Sequence, residues 1–348
     1  MLVHLFDRTS PHTTSPHTTS GHPSSRRRTA HPVWAPLTVA AIIVAASCGG
    51  DDASSDGSGA ATPTDALTVT ASFYPVEEIA RRVGGDRVAV TGLVPPGGGA
   101  HDHEPTATQL TELESTDVAL FLGGGFQPGV EAAIETVAGT ATAVDLLDDL
   151  ELLPVTEQLP GTGGEVDGEV LADGTDPHVW LDPENMIVMA ERTAEVLSGA
   201  DPEGSDLYAR NAEAYVAELS TLSSEMAEGL ASCESNVIVT SHRAFEYLAQ
   251  RFGLVQIPIA GISPEVEPSA QALEAVADAA RENGVQVIFF EENLPADLAE
   301  TIASEIGATT DVLDPVETLS DEQLAAGDSY LTVQRANLDA LTRGLACT

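Results

Sequence analysis

The sequence predicts an α/β protein of two lobes, each a mostly parallel sheet with flanking helices, joined by one long connecting helix with a cleft between the lobes. Three observations carry this. Short β-branched runs alternate with helix-length stretches in both halves of the chain. After Asp201-Pro202 the chain runs to Leu230 without another proline, rich in Ala, Glu, Leu and Tyr, with an apolar stripe at Leu207, Ala214, Val216, Leu219, Leu222 and Met226. At 348 residues the chain is also too long for one ordinary core.

In chain order, Leu67 to Phe73 and Val88 to Val94 read as strands around a helix at Val76 to Val83 that Gly84-Gly85 ends. Thr106 with Gln109 three residues on is a capping-box signal for a helix through Leu113, and Val118 to Leu122 supplies a third strand. Gly123-Gly124-Gly125 follows it, a weak phosphate-loop signal without G-x-G-x-x-G spacing. A helix over Gly129 to Ala138 and a strand at Ala141 to Val144 continue the alternation. Leu146 to Gly174 is then acidic and irregular, a solvated surface excursion. Another helix begins at Pro183.

Beyond the long helix, strands are predicted at Val237 to Thr240, Leu254 to Ile259, Val285 to Phe290 and Thr309 to Leu313. Helices fall at Ala244 to Phe252, Ser269 to Glu282, Pro295 to Ile306 and Ser329 to Leu345. The division follows: residues 1–47 a leader, 48–64 a flexible tether, 65–200 the first lobe, 201–233 the connecting helix and 234–348 the second lobe.

The leader has the layout of a secretory signal: Arg26 to Arg28, an apolar run from Val33 to Ala46, then Ala45-Ala46-Ser47 before Cys48. It resembles a bacterial lipoprotein signal, which implies that Cys48 is lipidated and becomes the first mature residue. Ala45 departs from that pattern, where a larger aliphatic residue is commoner, and the competing reading is a cleaved signal with an incidental cysteine. The apolar run is shorter than the roughly 20 residues of a spanning helix. The expectation is an extracytoplasmic protein on the outer face of a bacterial cell membrane, held by a lipid anchor.

Charge narrows the partners. Fourteen basic residues against 55 acidic ones give a formal charge of −41, which argues against nucleic acid and anionic membrane surfaces and favours cations. Every basic residue is arginine, so a Schiff-base lysine and a P-loop lysine are excluded.

The histidines are the sharpest signal. Of nine, five (His4, His12, His17, His22 and His31) lie in the leader, leaving His101, His103, His178 and His242. His101 and His103 sit in the breaker-rich loop Pro95 to Pro105, His178 in Asp176-Pro-His-Val-Trp-Leu-Asp-Pro183, and His242 after the strand ending at Thr240. Asp314 follows the strand ending at Leu313. Ligands bind outside the carboxyl ends of strands in open α/β sheets, so facing lobes would bring these loops together in a metal cleft. Each residue also has a plain structural account: His178 a packed turn residue beside Trp180, His242 a polar loop residue, Asp314 a cap before Pro315. Jointly, His101, His178, His242 and Asp314 are the three imidazoles and one carboxylate that suit a four-coordinate transition ion. Zn2+ is the expected cargo and Mn2+ the alternate, and His103 is an accessory ligand candidate.

On Phe73-Tyr74-Pro75, Val94-Pro-Pro-Gly, His101-Asp102 with Glu104-Pro105-Thr106, Asp176 to Pro183, Ser241-His242 with Ala244-Phe245, Ile288-Phe-Phe-Glu291 and Leu313-Asp314-Pro315, the chain resembles the zinc and manganese solute-binding proteins of bacterial ABC importers. The resemblance covers nearly all of Leu67 to Leu345. It implies that His101, His178, His242 and Asp314 bind the ion between the lobes, that the connecting helix limits closure, and that an ABC importer permease is the partner of a monomeric protein. In that family the third position is commonly histidine in zinc proteins and glutamate in manganese ones, so His242 points to zinc. Two departures stand out: His103 replaces a usual aromatic residue, and the Leu146 to Gly174 loop lacks the histidines of many zinc members. Cys233 and Cys347 remain as a pair in an oxidising compartment, and a disulfide between them is expected to contribute about 2–4 kcal/mol.

Two other functions compete. The order His101-Asp-His103, His178, His242, Asp314 mimics amidohydrolase metal sites, but that family builds a barrel and often bridges its metals with a lysine, which this chain lacks. Turnover also needs an open coordination position, whereas three histidines and an aspartate would close the site, so no enzyme activity is expected. The other competitor is a surface adhesin-like lipoprotein.

Overall fold

The computed structural model describes residues 66–155, 174–262, 264, 268–292, 294 and 296–348. The leader, the Cys48 lipidation site, the whole tether and most of the acidic Leu146 to Gly174 loop therefore lie outside the described residues.

Two four-stranded sheets form, both entirely parallel. The first contains β1 (Leu67–Ala71), β2 (Val88–Gly92), β3 (Val118–Phe121) and β4 (Thr142–Asp145) in the order β2-β1-β3-β4. The second contains β5 (Val237–Thr240), β6 (Val255–Pro258), β7 (Val287–Phe290) and β8 (Thr309–Val312) in the order β6-β5-β7-β8. Leu67 pairs with Val88 and Ala71 with Gly92 in one sheet, Val237 with Val255 and Val287 with Thr309 in the other. Each sheet changes direction at its centre, so a cleft opens at the carboxyl ends of its middle strands.

The helices follow from local chemistry. Helix α1 (Tyr74–Gly84) places Pro75 in its first turn, where a missing N–H costs nothing, and buries Val76, Ile79, Ala80 and Val83. Helix α2 (Ala107–Leu113) carries the expected capping box, Thr106 and Gln109 each bonding the other's backbone N–H. Helix α3 (Pro128–Val137) follows the triple glycine. Three of that loop's amides already have carboxylate partners, which counts against a phosphate cradle: Gly125 and Gln127 N–H donate to Glu131, and Gly123 N–H to Asp145.

Helix α4 (Pro183–Ala200) starts where Asp182 accepts from the Glu184 N–H, and it packs closely along α5 (Ser205–Gly229). The expected long helix is thus α5, preceded by a 3₁₀ turn at Pro202–Gly204. It contacts α1, α4 and the last helix. Helices α6 (Glu246–Phe252), α7 (Ala270–Glu282) and α8 (Asp297–Ile306) flank the second sheet. A short α9 (Asp321–Ala326), not anticipated from the sequence, precedes α10 (Tyr330–Gly344). Cys233 and Cys347 form the expected disulfide, tying the chain after α5 to the chain after α10.

One core cluster runs from Val69 and Ile79 through Trp180 and Leu219 to Phe245, Leu313 and Tyr330, so both sheets and α5 share buried apolar surface. Smaller clusters back each sheet separately, around Ile134 in the first and Val276 in the second.

Candidate metal centre

Four loops at the carboxyl ends of strands converge on one point. His101, His178, His242 and Glu317 each offer a ligand atom within 4.8 Å of the others, the one such cluster among the described residues. All four side chains are buried.

His101 lies in the loop after β2. The loop leaves the sheet in register, Leu93 N–H donating to the Ala71 carbonyl and Val94 N–H to Ser72, then turns at Gly97, whose φ of 71° suits glycine. Gln127 Nε2 holds the Ala100 carbonyl at 2.8 Å, and the Phe126 ring packs edge-on to the imidazole. These contacts fix the residue before His101 and one side of its ring.

His178 lies between the first sheet and α4. The Asp176 carboxylate Oδ1 accepts from both its backbone N–H (2.9 Å) and its Nδ1 (2.8 Å). Tyr247 OH in turn donates to the Asp176 carbonyl. His242 follows β5, its carbonyl accepting from Thr240 Oγ1 and Gln256 Nε2. Its Nδ1 lies 2.6 Å from Glu291 Oε1 at the end of β7. In both rings Nδ1 faces a carboxylate that can accept its N–H, which turns Nε2 towards the cluster, the orientation that a metal ligand requires.

Glu317 closes the set. Its Oε1 lies 3.4 Å from His101 Nε2, 3.7 Å from His178 Nε2 and 3.3 Å from His242 Nε2, and the two latter nitrogens are 3.4 Å apart. Zinc bonds of about 2.0–2.2 Å in tetrahedral geometry place ligand atoms roughly 3.3–3.6 Å from one another. The donor set and its spacing therefore fit a zinc ion.

Electrostatics agree with mutual pairing. Burial lowers the tendency of His178 to protonate, only partly opposed by Asp176, so that ring is held neutral. Burial also opposes charge on His242, but Glu291 and Glu317 outweigh it and raise its pKa well above 6.5. Burial would raise Glu317, yet His101 and His242 hold it well below the usual carboxylate range. A cavity of about 300 Å³ borders the site, lined by Gly97, Asp102, Glu291, Glu292, Glu317 and Thr318 among others, an acidic approach for a cation.

Of the expected ligands, His101, His178 and His242 meet here, while the fourth member of the cluster is Glu317 rather than Asp314. Asp314 is buried nearby, but its Oδ1 accepts the Val316 N–H at 2.7 Å and it is not among the four clustered side chains. Burial raises its pKa to about 6. His103 is half-buried and outside the cluster. Sequence reasoning missed Glu317 because both acids sit in one short turn, Asp314-Pro-Val-Glu317, and either could face the cleft. Glu291 stood at the end of a predicted strand, the same positional signal that selected His242.

Residues 69–344 match the family model described as zinc-uptake complex component A, periplasmic. The zinc-binding lipoprotein AdcA of Streptococcus pneumoniae is 34% identical over 276 residues, covering 79% of this chain and 55% of that protein. The chain thus spans about half the length of that relative. The high-affinity zinc uptake system protein ZnuA of Bacillus subtilis is 34% identical over 320 residues, covering 90% of this chain and 98% of the relative. Among solved structures, the Zn(II)-bound ZnuA-like domain of the S. pneumoniae AdcA superposes with a TM-score of 0.69 at 33% identity, covering 80% of this chain and 99% of that one. The laminin-binding protein Lmb of Streptococcus agalactiae, described as bifunctional with adhesin and metal-transporting activity, gives 0.69 at 30% identity, again over 80% and 99%.

Proposed function

Because this chain belongs to the family of zinc-uptake complex component A, we propose that it captures zinc outside the cytoplasmic membrane and delivers it to the permease of an ABC importer. The observation that carries the proposal is the set of three buried imidazoles and one carboxylate, whose ligand atoms lie within 4.8 Å of one another with the carboxylate 3.3–3.7 Å from each imidazole Nε2. His101, His178, His242 and Glu317 are the ligands. Asp176 and Glu291 orient two of the rings.

Zinc is favoured over manganese because imidazole outnumbers carboxylate three to one, and manganese prefers harder oxygen donors. Four protein ligands leave no coordination position for a substrate, which suits storage and transfer of the ion rather than hydrolysis. Lipidation of Cys48 and the glycine- and serine-rich tether after it would keep a monomeric protein close to its permease, with residues 65–200 and 234–348 as lobes around the ion and 201–233 as their connector.

Calorimetric titration of chelator-stripped protein tests this reading. One tight zinc site per chain is expected, with manganese binding weaker and His242→Ala reducing zinc affinity by several orders of magnitude. Undiminished zinc binding in His242→Ala, or two metal sites with amide or ester hydrolysis, would sink it.

A further inference from the structure

The turn that delivers Glu317 has an unusual backbone. Val316 adopts φ 57°, one of two non-glycine residues with positive φ among the described residues, and its side chain is fully buried. A β-branched residue resists this conformation because its Cβ substituents crowd the neighbouring peptide groups, so its surroundings must hold it there.

The peptide groups leading into Val316 are fastened. Asp314 N–H donates to Asn337 Oδ1 at 2.8 Å, and Asn337 Nδ2 donates back to the Asp314 carbonyl at 2.7 Å, Asn337 standing buried on α10. The Pro315 carbonyl accepts from Trp180 Nε1 at 2.7 Å. The Val316 N–H is taken by Asp314 Oδ1 at 2.7 Å. Just past Glu317, Thr318 Oγ1 and the Leu319 carbonyl accept from the Gly97 N–H, four residues before His101. Among these contacts, the Asp314 carboxylate is the one that acts on Val316 itself.

We propose that Asp314 is a positioning residue for the metal site: its carboxylate holds Val316 in the left-handed conformation and so aims Glu317 at the three histidines. The inference rests on the zinc-binding reading and adds to it the means by which the fourth ligand is kept in place. Only an acceptor at the Oδ1 position is needed, so asparagine serves and alanine does not. Without it Val316 relaxes towards negative φ and the Glu317 side chain swings off the cluster, leaving three imidazoles.

The test uses the full chain stripped of metal, titrated with zinc in competition with a chelator. Asp314→Ala lowers zinc affinity roughly 10–100-fold, the usual effect of losing an outer-shell partner. Asp314→Asn stays near wild type. Asp314→Ala adds nothing further in a Glu317→Ala background, since the two changes remove one ligand by two routes. Cobalt(II) as a spectroscopic probe shows the same change in its visible d–d bands in Asp314→Ala as in Glu317→Ala, because water replaces the carboxylate in the coordination sphere. Val316→Gly, which accepts positive φ without strain, restores affinity to Asp314→Ala and guards against a variant that simply folds badly.

Wild-type affinity in Asp314→Ala overturns the proposal. So does an equal loss in Asp314→Asn, or a full additional loss in the Glu317→Ala background, either of which would make Asp314 a ligand in its own right. If Glu317→Ala and His242→Ala both bind zinc like wild type, the zinc-site reading fails instead.

Discussion

His242 is held between two acids, and that placement sets how the site responds to pH. Glu291 Oε1 accepts from its Nδ1 at 2.6 Å while Glu317 Oε1 lies 3.3 Å from its Nε2. In the ion-free site these carboxylates outweigh burial and raise its pKa above 6.5, so a proton occupies the position that zinc must take. Binding expels that proton, and apparent zinc affinity therefore rises as pH rises through and beyond 6.5. His178, whose pKa is lowered, adds no such competition. Calorimetry at fixed neutral pH in two buffers of different ionisation enthalpy should give different apparent heats for zinc. Equal heats would mean that His242 is already neutral. Glu291→Gln should weaken zinc binding roughly 10–100-fold and reduce the proton release. At this scale the histidines were legible in the sequence, because subtracting the leader left four, of which His101 and His242 follow predicted strand ends and His178 precedes a predicted helix. Glu317 was not, since the choice between it and Asp314 depends on the backbone of Val316, which no propensity predicts for a β-branched residue.

Helix α5 explains why the elements stay in register around the site. Its buried residues Tyr208, Ala212, Tyr215, Leu219, Leu222 and Met226 form a stripe on a helix that contacts α1, α4 and α10. The Cys233–Cys347 bridge then fastens the chain after α5 to the chain after α10, whose Asn337 holds the Asp314 turn. Replacing both cysteines by serine should lower unfolding free energy by about 2–4 kcal/mol, read from denaturant melts. An unchanged midpoint, equal with and without reductant for the parent protein, would show that the bridge does not stabilise the fold. The elements legible in the sequence were those with a buried stripe or a β-branched run, such as α1, α5 and the eight strands, although of the stripe expected on α5 only Leu219, Leu222 and Met226 are buried and Ala214 is exposed. Helix α9 escaped although Ser320 and Gln323 repeat the capping box that revealed α2. It has six residues and buries none of them, so the periodic signal that supports a cap was missing.

At the scale of the molecule, the shared core limits how zinc can enter and leave. Phe73, Trp180, Phe245 and Tyr330 belong to one buried cluster that includes residues of both sheets. Trp180 also donates from its indole to the Pro315 carbonyl and accepts at its own carbonyl from Tyr330 OH, both at 2.7 Å and both buried. Wide separation of the lobes would strand these groups without partners and expose the aromatic cluster, a cost of about 1–3 kcal/mol for each lost buried bond before any apolar area is counted. Nearer the cavity the contacts are Gly97 N–H to Thr318 Oγ1 and to the Leu319 carbonyl, and Thr318 Oγ1 to the Pro95 carbonyl. Opening there needs only a loop to lift, and local fluctuations draw on such weakly held segments. Removal of zinc should accordingly leave the radius of gyration from small-angle scattering unchanged within error while hydrogen exchange accelerates in residues 95–103 and 314–319. A several-ångström expansion without zinc would show that the whole lobes part. Thr318→Val, which removes the hydroxyl acceptor but keeps the side-chain shape, should speed zinc dissociation more than it slows association, because the lost bond exists only when the loop is down.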